Sequence, residues 1–268
     1  MGSILTVKNV DVTGPAEPGF HALDFEVVSG QALGIAELGS ADLGRLLDVL
    51  AGLEPPRSGE ITWDGVTSRS REEAVTSGRR YRIERKLRLE IGFLSASASL
   101  LQNRTLEENI ALPLLYHFRL PDAEVAGRVL RLVTLLNLGF DAGRRPAGLS
   151  LGVRRRAELA RALILQPRLL ILESPFSNVE RESARIMVAA LKELQSDRAT
   201  GILVASDNPL QLAPVVSRIL VYEGGKLSGS LDDRELADQG LLADRTALLR
   251  TLERKSKERQ TCGLPSAE

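Results

Sequence analysis

The chain is short of the residues that build metal and redox centres. Its 268 residues include one cysteine, Cys262, and two histidines, His21 and His117. A single cysteine permits no intrachain disulfide and no cysteine metal site, and two isolated histidines argue against a histidine-based one. Net charge is lacking too, because 35 basic residues balance 35 acidic ones. That balance removes the bulk pull toward nucleic acid or an anionic membrane surface, so no nucleic-acid partner is expected. No stretch approaches the roughly 18 apolar residues of a membrane-spanning helix, so the chain is expected to have no membrane span of its own. The opening residues, MGSILTVKNVDV, lack the long apolar run of a signal peptide, and the expected location is the cytoplasm.

What is present is ordinary globular material, 43% apolar, enough to bury a sizeable core in one large domain or two small ones. Residues 4–12 and 22–28 alternate as strands, and the Gly- and Pro-rich segment 13–20 between them reads as a hairpin loop. Residues 31–36 form a third strand. Residues 42–53 have Leu43, Leu46, Leu47 and Leu50 on one helical face. A strand follows at 59–64. Residues 65–90 are polar, with Arg79, Arg80, Arg82, Arg85, Lys86 and Arg88 clustered; such a cluster is either a solvated helix face or a contact for lipid headgroups or a membrane partner. Residues 91–94 suit a buried strand, and 105–148 carry only helical signals. A helix at 179–196, a strand at 201–205 and a strand pair at 218–222 and 226–230 come next. From 231 onward two charged helices form a tail, which either clasps a partner or packs on its own domain. No internal repeat is visible.

The most informative stretch is residues 149–180, LSLGVRRRAELARALILQPRLLILESPFSNVE. A small-residue turn, Leu149-Ser150-Leu151-Gly152, opens a helix with apolar residues at helical spacing and Arg154, Arg155, Arg156 and Arg161 between them. Pro167 stops that helix. The run Leu169-Leu170-Ile171-Leu172 suits a strand buried on both faces, and Glu173 ends it where an open α/β sheet places its ligand. This stretch resembles the signature-to-Walker-B segment of ABC-transporter ATPase domains. Further anchors follow in order over residues 4–230: LAGL at 50–53, SGEI at 58–61, IGF at 91–93, ENIALPL at 108–114, PF at 175–176 and RILVYEGG at 218–225. The resemblance implies an α/β fold, an ABC ATPase-like P-loop core with an N-terminal antiparallel β-subdomain and an inserted α-helical subdomain. Its expected extent is residues 1–230, with the helical subdomain at about 97–148 and the charged helical tail at 231–268. The run ENIALPLLYH resembles the surface that receives the coupling helix of a membrane permease. It is also similar to ATPases of phospholipid/Mce-type transporters, which points to lipid transport, although related exporters share it.

The positions that carry chemistry in that family are occupied differently here. A phosphate loop needs backbone N–H groups as an anion nest, a Lys for the β/γ-phosphates and a hydroxyl for Mg²⁺. Counted without a gap from LAGL, the loop is Glu37-Leu38-Gly39-Ser40-Ala41-Asp42-Leu43-Gly44, with Leu43 at the Lys position and Gly44 at the hydroxyl position. A shifted frame, Gly39 to Gly44 followed by Arg45, keeps two glycines and a cation. The aromatic that stacks on adenine has no counterpart near Val12; Phe20 is the nearby ring, and a loop residue folded into the core is the alternative for it. Ala96 stands at the Q-loop Gln position, and Gln102 lies too far along to replace it. Glu173 stands at the Walker B Asp position, where it either reaches Mg²⁺ or caps the sheet, and Ser174 stands at the catalytic Glu position. Asp207 replaces the switch His, or else Asp207-Asn208-Pro209 simply starts a helix. Ser150 and Gly152 of the signature turn survive, either to face a partner's nucleotide or, for Ser150, as a plain N-cap.

Taken together, these substitutions imply a catalytically degenerate ABC ATPase-like subunit. It is expected to pair as a heterodimer with a competent ABC ATPase and with a permease at the inner face of the cell membrane. ATP and Mg²⁺ are then reached only through the partner's site, by way of Ser150 and Gly152, and no resident metal is expected. A slow but genuine ATPase that uses Arg45, and a nucleotide-free structural or regulatory homodimer, are the alternatives.

Overall fold

The computed structural model describes residues 2–12, 19–67, 85–97, 99–197 and 199–261. Most of the hairpin segment and, in the basic cluster, Arg79, Arg80 and Arg82 lie outside these residues. Among the described residues two sheets form. The first is antiparallel, in the order β2-β1-β4-β5: β1 (Ser3–Val12), β2 (Phe20–Val28), β4 (Ser58–Trp63) and β5 (Val66–Thr67). The second has the order β10-β9-β3-β8-β7-β6. It comprises β3 (Ala32–Glu37), β6 (Ile91–Leu94), β7 (Leu169–Glu173), β8 (Gly201–Ser206), β9 (Arg218–Glu223) and β10 (Lys226–Leu231). All its pairings are parallel except β9 with β10.

Burial explains the sequence of these strands. β3 and β8 are buried at every position, and β7 at every position before Glu173, which is why they read as unbroken apolar runs rather than alternations. Helix α1 (Leu43–Leu50) lies between the sheets and buries Leu46, Leu47, Val49 and Leu50. The indole Nε1 of Trp63 donates to the Leu50 carbonyl at 2.8 Å. This bond uses one of the helix's orphan C-terminal carbonyls and ties the antiparallel sheet to α1. Phe20 is a strand residue, paired in register with Val12, not a loop residue. It is buried edge-on against Tyr222, with ring centroids 5.5 Å apart.

The opposite face of the parallel sheet carries α5 (Leu151–Leu163) and α6 (Arg181–Ser196), together with the helical subdomain α3 (Leu106–His117) and α4 (Asp122–Leu135). A capping box between Thr105 and Glu108 starts α3. One turn on, buried Asn109 accepts from the Leu101 N–H (2.7 Å) and donates to the Thr105 carbonyl (2.8 Å), pinning the entering loop. Arg88 is exposed on the short helix α2 (Arg85–Glu90).

The tail differs from the expected two helices. Leu231 belongs to β10, and three helices follow: α8 (Asp233–Leu236), α9 (Gln239–Ala243) and α10 (Arg245–Thr261). The breaks fall at Asp232, Asp238 and Asp244, whose carboxylates cap the next backbone N–H groups. The tail packs on its own domain. Leu236, Leu242, Leu248 and Leu252 join the main core, and Lys255 reaches the Ser230 carbonyl and Glu235. Leu252→Ala should therefore destabilise the whole protein by about 2–5 kcal/mol, read as a lower urea midpoint with a single transition. A separate, early transition of the tail would contradict this packing.

Candidate functional site

The ends of β3, β7 and β8 and the start of α1 meet at one edge of the parallel sheet. Leu43 is the first residue of α1, and Asp42 is its N-cap, accepting from the Arg45 N–H at 2.9 Å. The helix thus begins where the ungapped frame places the loop's end. Arg45, the cation of the shifted frame, lies in the first turn and is turned onto Glu54 at 3.0 Å. Ser40 and Gly39 are exposed, whereas Ala41 is buried.

Glu37, the last residue of β3, is 2% exposed. Its carboxylate accepts from the N–H groups of Gly39 (2.7 Å), Gly224 (2.8 Å) and Gly225 (3.1 Å). An ionised carboxylate leaves water at a cost of several kcal/mol unless donors replace the lost hydration, and these three amides are such donors.

A second carboxylate sits beside the helix start. Glu173 Oε1 lies 3.1 Å from where a Cβ on Gly44 would be. Its other oxygen accepts from the Ala96 N–H (2.8 Å) and the Ser95 hydroxyl (3.1 Å). From α5, Arg155 donates to the Ser95 (3.1 Å) and Ala96 (2.7 Å) carbonyls and pairs with Glu158 at 3.0 Å. Residues 95–96 are therefore clamped between a carboxylate and a guanidinium. Gln102 stays local, donating to the Leu100 carbonyl. Burial raises the pKa of Asp48 on α1, and the negative charges of Glu54, Glu173 and Asp42 raise it further against Arg45. The edge is thus locally acidic, yet among the described residues no group of His, Cys, Asp and Glu is arranged to hold a metal ion.

Ser174 turns the chain out of β7 at φ +42°, its N–H donating to the Ala205 carbonyl at 2.7 Å. Asp207 is exposed, and it is Asn208 that caps the following helix α7 (Pro209–Leu212), accepting from the Leu210 N–H at 3.0 Å. At the signature turn, Ser150 is the N-cap of α5. The Glu180 carboxylate shares that corner. Its pKa is lowered by its own backbone N–H, by the Ser150 hydroxyl and by the Gly152 N–H. A Cβ on Gly152 would collide with Glu180 and come within 2.6 Å of Ser183 Cβ, so close packing of α5 on α6 supplies a reason for the glycine. Phe20, buried against Tyr222, lies away from any stacking role. The part played by Glu37, Arg155 and Glu180 is not evident from the sequence, although Arg155 and Glu158 stand at the i,i+3 spacing of a helical ion pair.

A strand–loop–helix phosphate-loop core, a flanking antiparallel sheet and a helical insertion define a nucleotide-binding cassette. The family model described as ABC transporter matches residues 20–177, more than half of the chain, and the chain belongs to that family. Solved structures similar in fold include the dimeric structure of MJ0796, a bacterial ABC transporter cassette (21% identity, TM-score 0.72, covering 86% of this chain and 99% of that one). The cbiO1 protein from Clostridium perfringens, part of the ABC transporter complex cbiONQ, is similar at 17% identity and TM-score 0.71, covering 94% and 100% of the two chains. An ATP-binding subunit of an ABC transporter is similar at 20% identity and TM-score 0.71, over 93% and 98%. No helix among the described residues is long and apolar enough to cross a membrane.

The Arg155–Glu158 pair yields a pH-dependent expectation. Burial raises the Glu158 pKa, and Arg155 is the main influence opposing it. Arg155→Met removes that opposition and strands a buried carboxylate, costing about 3–5 kcal/mol near neutral pH. The folded-state pKa then lies further above its unfolded value, so the folded protein binds the proton more tightly and the deficit shrinks as the pH falls through it. Urea unfolding of both proteins at neutral and mildly acidic pH checks this; a deficit that stays constant with pH would contradict it.

Proposed function

We propose that the chain is a non-hydrolysing cassette subunit of an ABC transport complex, joining a membrane permease to a hydrolysing cassette partner. The observation that carries this reading is the Glu173 carboxylate lying against Gly44, directly beside Leu43 at the start of α1. The family's loop needs a cation and a hydroxyl at those two places. Here there is an aliphatic chain, a bare Cα and a negative charge. With no cation at Leu43 for the phosphates and no hydroxyl at Gly44 for magnesium, these residues do not fit a magnesium triphosphate. No general base stands at Ser174, since a serine hydroxyl does not accept a proton at neutral pH without an activating partner.

Two surfaces support the partners in this reading. Leu115, Tyr116 and Phe118 expose side chains at the far end of α3, in and beside the run where the resemblance places a permease contact, and neighbouring exposed apolar groups of this kind suit an interaction surface. Through it the subunit sits on the inner face of the membrane, and a phospholipid-type cargo is the class suggested by the run at residues 108–117. The Ser150–Gly152 corner faces a partner's nucleotide, and a phosphate engages it by displacing Glu180.

The purified chain is expected to release no phosphate from ATP. In the complex with permease and competent partner, turnover is expected to vanish with Ser150→Arg and to survive Ser174→Ala. Turnover by this chain alone would overturn the proposal, and a complex unaffected by Ser150→Arg would overturn the donated corner.

A further inference from the structure

We infer that Glu37 is a built-in anion that takes the place of phosphate on the loop and locks the loop onto the β9–β10 turn. This rests on the reading of a cassette that does not use its own phosphate loop, and it assigns the cause to one side chain. Glu37 occupies the first position of the ungapped loop, where the family resemblance places a glycine. With no side chain there, the Gly39 amide would lose its acceptor. Instead, the carboxylate folds back on its own loop and takes the Gly39 N–H, while its two oxygens also hold the amides of Gly224 and Gly225, 187 and 188 residues away.

The surrounding bonds make this a junction of four elements. The next loop amide, Leu38 N–H, is used by the Tyr222 carbonyl of β9 at 2.9 Å. The Gly225 carbonyl accepts from His21 N–H of β2 at 3.1 Å, and Glu223 pairs with Arg245 of the tail at 2.8 Å. Loop, hairpin turn, antiparallel sheet and tail are thus fastened around one carboxylate. Among the described residues no cation pairs with it, so backbone dipoles carry the compensation, as they do for a bound phosphate. An arriving phosphate competes with a group already tethered at the site, whose effective concentration far exceeds that of a free ligand.

The test restores everything except this residue. In the background D42G/L43K/G44S/E173D the loop regains glycine, cation, hydroxyl and the shorter carboxylate. Binding of a fluorescent ATP analogue with Mg²⁺ is measured in this background with Glu37 kept and with Glu37→Gly added. Glu37→Gly is expected to raise affinity about tenfold to a hundredfold, the range set by losing charge-assisted hydrogen bonds. Equal affinity in the two, or no binding in a folded Glu37→Gly variant, overturns the lock. A second measurement uses the otherwise native full-length chain. Amide exchange at Gly39, Gly224 and Gly225 is expected to accelerate about tenfold or more in Glu37→Ala, with a smaller change in Glu37→Gln, which keeps an acceptor oxygen. Unchanged exchange in Glu37→Ala overturns the lock as well. ATP hydrolysis by the unmodified chain would instead refute the proposed function, so the two failures are distinct.

Discussion

A buried carboxylate has to be given donors, and the way this requirement is met at Glu37 organises one end of the molecule. The residue closes a strand that is otherwise apolar and wholly covered. Its charge is compensated by amides from two distant segments, so the strand end, the loop and the β9–β10 turn hold their positions together. If any of the three moves, a charge is left in a site that water does not reach, at a cost of several kcal/mol. The register of the central strands, the start of α1 and the seat of the tail all adjoin this point.

The same physics recurs elsewhere on this edge of the molecule. Backbone donors at helix starts and turns are obligatory partners for something. When no ligand supplies the acceptor, a side chain of suitable length does. Glu173 serves the amide of Ala96 and the hydroxyl of Ser95, and Glu180 lies against Gly152 at the start of α5. Glutamates thus hold the donors of the loop and the β9–β10 turn and those of the 95–96 segment, and a third stands beside the signature corner. Arg155 adds a clamp from the other side of residues 95–96, so the segment between the parallel sheet and the helical subdomain is held at both faces.

The remainder of the fold is conventional cassette architecture. Helix α1 fills the space between the sheets with leucines, and Trp63 fastens one sheet to that helix's end. On the other face the helical subdomain, α5, α6 and the tail share a continuous core. The family's shape is set by apolar burial and strand pairing, in which Glu37 also takes part through its pairing with Tyr222.

The buried strands, the helix after the loop, the helical insertion and the ordered anchors of the family were all legible in the chain, because periodicity and unbroken apolar runs are local signals. So were the residues standing at the counted positions, Leu43, Gly44, Ala96, Ser174 and Asp207, since identity at a counted position needs no coordinates. Other features were not legible. Glu37 read only as the first position of the loop, Arg155 as one of several basic residues on a helix, and residues 231–268 as a tail that either clasps a partner or packs on its own domain. Each owes its role to partners that are distant in sequence: Gly224 and Gly225 for Glu37, Ser95 and Ala96 for Arg155, Gly229 and β10 for Leu252. The sequence by itself determined the family, the order of elements and which residue stands at each counted position. Only the tertiary structure decided which groups those residues touch, because a hydrogen bond or a packed contact between distant segments depends on where the whole chain brings them together.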